Sequence, residues 1–391
     1  MSQVNISIVS GNRAEFGQLL PLLLRIQDDD YFKLDFVVTG AHLSKSGGNT
    51  LSEIEKYPLQ ISKCIPIPNI SNNSPSGIGN QIGEIIQLFT AYYSYKRPDI
   101  LIVIGDRYEM FGVGIAACVL KIPMVHLCGG STTMGALDEV FRHSLTKMSQ
   151  FHFVTCEKYR RRVIQLGEQP ERVFNVGSLA IENCCNVEKL SEQEIRTYIG
   201  LMPNEKYCIV TYHPVTLAAE DGRRDIEELI QAMDSFQQFS YVITLSNVDA
   251  GGEYINDMWK MVAKTRPNYH VVSSLGVKRY LSALCYAEMM IGNSSSGTTE
   301  GPAMHVPTVD IGDRQKGRFF AESIVHCEAN RDDIIKAISK AGSQEFKEIA
   351  KKAKNPFGDG TTSKKMIELL KKITKEKIDI KKKFYDLGDY V

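Results

Sequence analysis

Short apolar runs rich in β-branched residues recur along the chain, separated by helix-length segments. In the first half they fall at 4–9, 34–39, 100–104, 123–127, 152–155 and 173–176, and in the second at 207–212, 241–245, 270–273, 289–291, 308–311 and 324–327. Runs this short and apolar read as strands buried on both faces, and intervening segments such as 18–26, 224–236 and 277–287 read as helices. That alternation predicts parallel βαβ units. About six strands in each half predict an α/β chain of two Rossmann-like domains facing a cleft, with ligands at the carboxyl ends of the strands. The passage between the two series lies at 177–200, with a helix expected at 179–187, and divides the chain into 1–178 and 179–360. The remainder, 361–391, is expected to form a helix at 363–375 and a charged tail that packs back on the first domain. The stretch 69–79, rich in Asn, Ser, Pro and Gly, reads as a flexible loop.

A chain of 391 residues exceeds what one hydrophobic core usually supports, in keeping with two domains. Lys plus Arg and Asp plus Glu number 46 each, so the formal net charge is zero. That balance argues against nucleic acid or an anionic membrane as partner, and any anion must be met by a local site. The nine cysteines form no C-x-x-C pair, and several sit in apolar runs, as thiols do in a reducing cytoplasm. The start, Met1-Ser2-Gln3-Val4-Asn5, enters the first strand without a basic, apolar leader, and no apolar stretch reaches the roughly 20 residues of a membrane span, so a cytoplasmic protein is expected. Alternating Lys and Ile at 371–383 read as a solvated helix face rather than an anionic-surface patch. No His/Cys cluster has ligand spacing, so neither a metal nor another cofactor is expected.

Candidate chemistry sits where the apolar runs end. Ser10-Gly11-Asn12-Arg13 closes the first run ahead of a helix; glycine, helix N-terminus and Arg13 together suit a phosphate, and a surface arginine is the equal alternative. Gly105-Asp106-Arg107 ends another run, where α/β enzymes carry reacting groups, although Asp106 as a helix N-cap fits equally well. Downstream of Asp138-Glu139, helical spacing puts Glu139, Arg142, His143, Thr146 and Gln150 on one face and Phe141, Leu145, Met148 and Phe151 on the other. Adjacent carboxylates beside a histidine can divide acid and base work; a solvated amphipathic helix capped by Asp138 is the plainer reading. His213 is held extended ahead of Pro214, though a lone histidine is more often structural.

The densest signal is Gly292-Asn293-Ser294-Ser295-Ser296-Gly297, lying between a buried strand and a helix, with Glu300 one turn on and Gly312-Asp313-Arg314-Gln315-Lys316-Gly317-Arg318 after the next strand. Backbone N–H groups, hydroxyls and the positive helix end suit a diphosphate, and Glu300 suits a ribose diol. Arg314 and Arg318 suit phosphate or the carboxylates of their own turn.

Together these segments resemble the hydrolysing UDP-N-acetylglucosamine 2-epimerases, particularly the bacterial sialic-acid-pathway branch and the epimerase half of the animal bifunctional enzyme, from Val9 to about Lys372. The most specific parts are Gly105-Asp106-Arg107, Asp138-Glu139 with Arg142-His143 and Thr146-Lys147-Met148-Ser149, His213-Pro214, Gly292-Asn293-Ser294-Ser295, and Gly312-Asp313-Arg314-Gln315 with Gly317-Arg318. The resemblance implies a glycosyltransferase-B-like fold, a homo-oligomer (a dimer or dimer of dimers), and conversion of UDP-N-acetylglucosamine to N-acetylmannosamine plus UDP. The chemistry implied is anti elimination of UDP to a glycal, then hydration with the opposite outcome at C2. By position, the resemblance assigns acid/base work to Asp106, Asp138, Glu139 and His213. It assigns substrate contacts to Arg13, His42, Arg107, His143, His152, Asn247, Ser294, Ser295, Ser296, Glu300, Arg314 and Arg318.

One departure stands out. Relatives often carry His-x-Glu-Gly-Gly-Glu or His-x-His-Gly-Gly-Glu where this chain reads His126-Leu127-Cys128-Gly129-Gly130-Ser131. A thiol, ordinarily titrating near about 8.5, is a poorer base at neutral pH. The change keeps open the same reaction on a UDP- or GDP-2,4-diacetamido-trideoxy-hexose of the legionaminic-acid route. A UDP-sugar glycosyltransferase and a silent nucleotide-sugar binder are the other readings.

Overall fold

The computed structural model describes residues 3–44, 50–68, 74–133, 136–214, 223–245 and 252–388. It divides into two compact units, the first made of Met1–Ser131, Asp138–Asn183 and Phe357–Val391, the second of Thr132–Leu137 and Cys184–Pro356.

The first unit is built on seven parallel strands: β1 Val4–Ser10, β2 Phe32–Thr39, β3 Ile61–Ile65, β4 Ile100–Ile104, β5 Met124–Leu127, β6 Phe151–Val154 and β7 Val173–Asn175. Their order is β3-β2-β1-β4-β5-β6-β7. Its helices are α1 Arg13–Gln27, α2 Leu51–Ile54, α3 Pro75–Tyr95, α4 Tyr108–Val119, α5 Asp138–Met148, α6 Glu157–Gln165 and α7 Leu179–Asn186, which runs across the division. All five residues of β4 are buried, as a parallel strand covered on both faces requires. β3 is different: at this sheet edge Lys63 and Cys64 are exposed, so the strand needs no continuous apolar run and none marks it in the sequence.

Two further expectations are corrected. The stretch 69–79 is not loop throughout, because α3 starts at Pro75, where the Ser74 hydroxyl accepts the Gly77 N–H at 3.1 Å and proline fits the first turn. The tail is not a solvated helix face beyond Ile373. Lys382 is largely buried and donates to Ser149 O at 2.6 Å and Lys147 O at 2.9 Å, closing the C-terminal end of α5, while its ammonium pairs with Glu168 at 2.6 Å.

The second unit carries six parallel strands: β8 Tyr207–Thr211, β9 Ser240–Thr244, β10 Tyr269–Val272, β11 Met289–Gly292, β12 Thr308–Ile311 and β13 Ile324–Cys327, in the order β10-β9-β8-β11-β12-β13. Its helices are α8 Glu192–Ile199, α9 Arg223–Met233, α10 Gly252–Ala263, α11 Gly276–Cys285, α12 Ser295–Thr298, α13 Glu300–Ala303, α14 Arg331–Gly342 and α15 Gln344–Lys352. Trp259, Tyr212, Tyr241 and Ile291 belong to its core. The last helix, α16 Thr362–Ile373, belongs to the first unit and packs on α1 with Met366 and Leu370 in that core.

Each sheet winds outward in both directions from one neighbouring pair, β1 with β4 and β8 with β11. At such a switch point the turns after the two strands lie side by side. The chain thereby brings residues 11–13 next to 105–107 in the first unit and 212–214 next to 293–296 in the second. Among the described residues no helix is long and apolar enough to cross a membrane.

Candidate functional site

In the first unit the amides at the start of α1 are already engaged. Asn12 Oδ1 accepts from the Ala14 and Glu15 N–H groups at 2.9 and 3.0 Å, and Glu15 Oε2 accepts from Gly11 N–H at 2.7 Å. The contribution of this turn to an anion therefore falls on half-buried Arg13, whose pKa burial lowers and the Glu53 charge partly restores.

The neighbouring turn holds the acid/base candidates. Arg142 is 1% exposed, and its guanidinium gathers groups that are far apart in sequence. Nη2 pairs with Asp106 Oδ2, while Nη1 meets Glu139 Oε2 at 2.5 Å and donates to Ser131 O at 3.1 Å. Burial opposes the charge on Arg142, but Asp106, Glu139 and Asp138 together outweigh it and raise its pKa. Glu139 Oε1 then reaches His143 Nε2 at 3.1 Å, so Asp106, Arg142, Glu139 and His143 form one chain of contacts, with Asp138 half-buried at the head of the same helix. The polar face of α5 is thus only partly exposed, and its charged groups are paired within the protein. Carboxylates fixed by a permanent cation and next to an imidazole can accept a proton and pass one on.

His126 supports this arrangement from below. Its Nε2 lies 2.8 Å from Gly105 O, which can only accept, so Nε2 carries the hydrogen; burial lowers the pKa to about 3 and keeps the ring neutral. Gly130, at φ 78°, lies so close to the Tyr159 carbonyl that no Cβ fits, which fixes the course of the backbone between Cys128 and Ser131. The Arg142 contact uses the Ser131 carbonyl, so replacing glutamate with serine there leaves this bond available.

Arg107 turns toward fully buried Glu109 at 3.1 Å. His42 and His152 are not brought to the Arg142 chain. His42 is buried between Ser10 Oγ at 3.0 Å and Thr50 Oγ1 at 2.7 Å, with its pKa lowered to about 4 by burial. His152 is buried against Glu168 at 2.9 Å. Burial raises the Glu168 pKa, but His152, Lys147 and Lys382 outweigh it and bring it down to about 2. Glu168 and Lys382 therefore support α5 from its C-terminal end, and no local sequence motif marked them.

In the second unit Asn293, wholly buried, clamps the His213 backbone: its Oδ1 accepts the His213 N–H at 2.7 Å and its Nδ2 donates to His213 O at 2.8 Å. Gly292 makes this possible, since at φ 138° any Cβ would run into the Thr211 carbonyl. Asn293 O in turn accepts from Arg314 at 3.0 Å and Gln315 at 2.7 Å. The expected helix dipole is weak, because α12 spans only Ser295–Thr298 and the Ser294 side chain already accepts from Ser296 N–H. What the turn offers is hydroxyls: Ser295 is exposed, and Ser296 lies 2.6 Å from the Tyr280 hydroxyl and bonds to Glu300, whose pKa burial raises. Arg318 donates to Thr132 O at 2.8 Å and Thr133 Oγ1 at 3.0 Å. Asn247 lies outside the described residues. Among the described residues, one group, Asp313, His326 and Glu328, brings possible metal ligands within 4.8 Å of one another, but Asp313 is paired with Lys316 and His326 with Asp310.

Residues 24–371 match the family model described as UDP-N-acetylglucosamine 2-epimerase. The chain is 38% identical over 349 residues to the GDP/UDP-N,N'-diacetylbacillosamine 2-epimerase (hydrolyzing) of Campylobacter jejuni, covering 89% of this chain and 90% of that one. It is 34% identical to polysialic acid biosynthesis protein P7 of Escherichia coli, over 98% of each chain. In fold it is similar to the crystal structure of UDP-GlcNAc 2-epimerase from Neisseria meningitidis bound to UDP-GlcNAc, with a TM-score of 0.77 at 19% identity, covering 94% of this chain and all of the other.

Proposed function

We infer, from the fact that the chain belongs to the UDP-N-acetylglucosamine 2-epimerase family, that it is a hydrolysing nucleotide-sugar 2-epimerase. The observation that carries the reading is buried Arg142 gathering Asp106 and Glu139, with His143 next in line. In this reading one of the carboxylates Asp106, Asp138 or Glu139 takes the C2 proton of a 2-acetamido sugar. The electrons of that C–H bond form the C1–C2 double bond as the C1–oxygen bond breaks, and the diphosphate leaves with the bonding pair. Water then adds to the glycal: a second acid of the set delivers a proton to the opposite face of C2, the water's hydroxyl goes to C1, and the water's remaining proton passes to a carboxylate of the set. Arg142 holds Asp106 and Glu139 in place and balances their charge while protons move.

The nucleotide falls to Ser294, Ser295, Ser296, Glu300, Arg314, Arg318 and Asn247, with His213 held by Asn293 as a further acid/base group. Arg13 and Arg107 are assigned to anionic substrate groups. His42 and His152 are assigned supporting roles, in keeping with their burial. UDP-N-acetylglucosamine, yielding N-acetylmannosamine for a sialic-acid-type sugar, is the first substrate reading, in a cytoplasmic homodimer. The 38% identity to a diacetylbacillosamine 2-epimerase favours a second, the 2,4-diacetamido-trideoxy-hexose nucleotide.

Proton NMR of the protein with each nucleotide sugar tests both. Free manno-configured sugar and UDP are expected from one of them; a glycoside formed with an added acceptor, or binding without UDP release, would contradict the proposal.

A further inference from the structure

Glu15, in the first turn of α1, is 6% exposed. Its Oε2 accepts the Gly11 N–H, while Oε1, also buried, has no hydrogen-bond partner among the described residues. A charged carboxylate oxygen sealed from water without a donor is costly, and a neutral carboxylic acid in the same place costs less. A second acid converges on the same turn: a Cβ on Gly11 would lie 3.3 Å from Glu15 Oε2 and 3.5 Å from Glu109 Cβ. The Arg107 charge favours ionised Glu15, but its guanidinium is engaged elsewhere, donating to the two oxygens of Glu109 at 3.1 and 3.4 Å. Asp106, in the turn between β4 and α4, adds a smaller negative charge. Burial first, and Glu109 second, push Glu15 up to about 8.

We propose that Glu15 is a positioning residue that holds a proton at neutral pH, so that the turn after β1 can close on the Asp106-bearing turn after β4 without two buried carboxylates meeting. Ionisation of Glu15 sets it against Glu109 and Asp106 and loosens the turn that aims Asp106. The proposal rests on the 2-epimerase reading for its turnover readout alone, because its stability readout needs no substrate.

The test compares wild type with Glu15→Gln, an uncharged near-isostere. The acid is raised in the folded state, so between its ordinary value of 4.5 and about 8 the folded protein binds more protons than the unfolded one and loses stability as pH rises. The unfolding midpoint of Glu15→Gln is expected to fall less over that window, and its kcat, but not its KM, to lose the alkaline decline near pH 8. Glu109→Gln, which releases Arg107 toward Glu15, is expected to move the wild-type break to lower pH. Parallel stability curves for wild type and Glu15→Gln, or an unmoved break in Glu109→Gln, would overturn the proposal. Wild type without turnover on any nucleotide sugar would count against the 2-epimerase reading, and the stability curves would still decide the role of Glu15.

Discussion

Asn293→Ala removes the clamp on His213 and nothing else of comparable size. The amide makes two hydrogen bonds, at 2.7 and 2.8 Å, to a backbone segment packed against it, and is itself wholly inaccessible to water. Each bond is worth about 1 kcal/mol net, and each buried backbone group left without a partner costs about 1–3 kcal/mol instead. Water entering the vacated space recovers part of this, so a loss of about 3 kcal/mol is expected. For a domain the size of the second unit that corresponds to roughly 6–12 °C in the midpoint of its thermal transition. The same change frees the His213 backbone, and a misplacement of about 1 Å near the chemistry can lower turnover by about 100-fold. Calorimetry reads the first effect and UDP release at saturating substrate the second. Asn293→Asp is a control: it keeps an acceptor for the His213 N–H but turns a second oxygen toward the His213 carbonyl, so it should rescue neither. A midpoint within about 1 °C of wild type, together with unchanged kcat, would refute the clamp.

Three other outcomes follow from the same geometry. Arg142→Met leaves Asp106 and Glu139 without their cation; because both are about one-quarter exposed, the cost lies near the lower end of that for a broken buried pair, about 2–4 kcal/mol, read as a lower urea midpoint for the first unit. An unchanged midpoint would contradict the burial of this network. Glu168 is held at about 2 against an ordinary 4.5, so it contributes stability above 4.5 that is lost as the pH falls through 2. Glu168→Gln should therefore unfold more easily at pH 7 and lose stability less steeply between 4.5 and 2; parallel acid-unfolding curves would count against the ion cluster at the end of α5. Asp106→Asn should abolish turnover while UDP still binds by calorimetry, and unchanged turnover would remove Asp106 from the mechanism.

The sheets were legible in the sequence because a parallel strand covered on both faces is largely apolar, as Ile100–Ile104 and the buried Tyr207–Thr211 are. β3 was not, since an edge strand can carry Lys63 and Cys64 outward. Helix starts were legible only through their caps, and at Ser74-Pro75 the start signal lay inside a stretch whose composition also suits a loop. Candidate site residues could be placed at strand ends, which periodicity marks. Their partners could not, because they come from elsewhere in the chain. Arg142 lies on a polar helix face and looks solvated until Asp106, 36 residues away, is brought against it. Asn293 looked like part of a ligand-binding turn, yet its amide is used on the backbone of His213, 80 residues earlier. His42 follows β2 and His152 lies within β6, but sequence gives no measure of how deeply a side chain is buried, and in the fold both are enclosed.

The measurement that bears most directly on the proposed chemistry is the reaction run in D2O and followed by proton NMR. Elimination removes the C2 proton to a carboxylate and hydration returns one drawn from solvent. The account therefore expects the released manno-configured 2-acetamido sugar to carry deuterium at C2 in every turnover. Release of the sugar with its original proton still at C2 would contradict it.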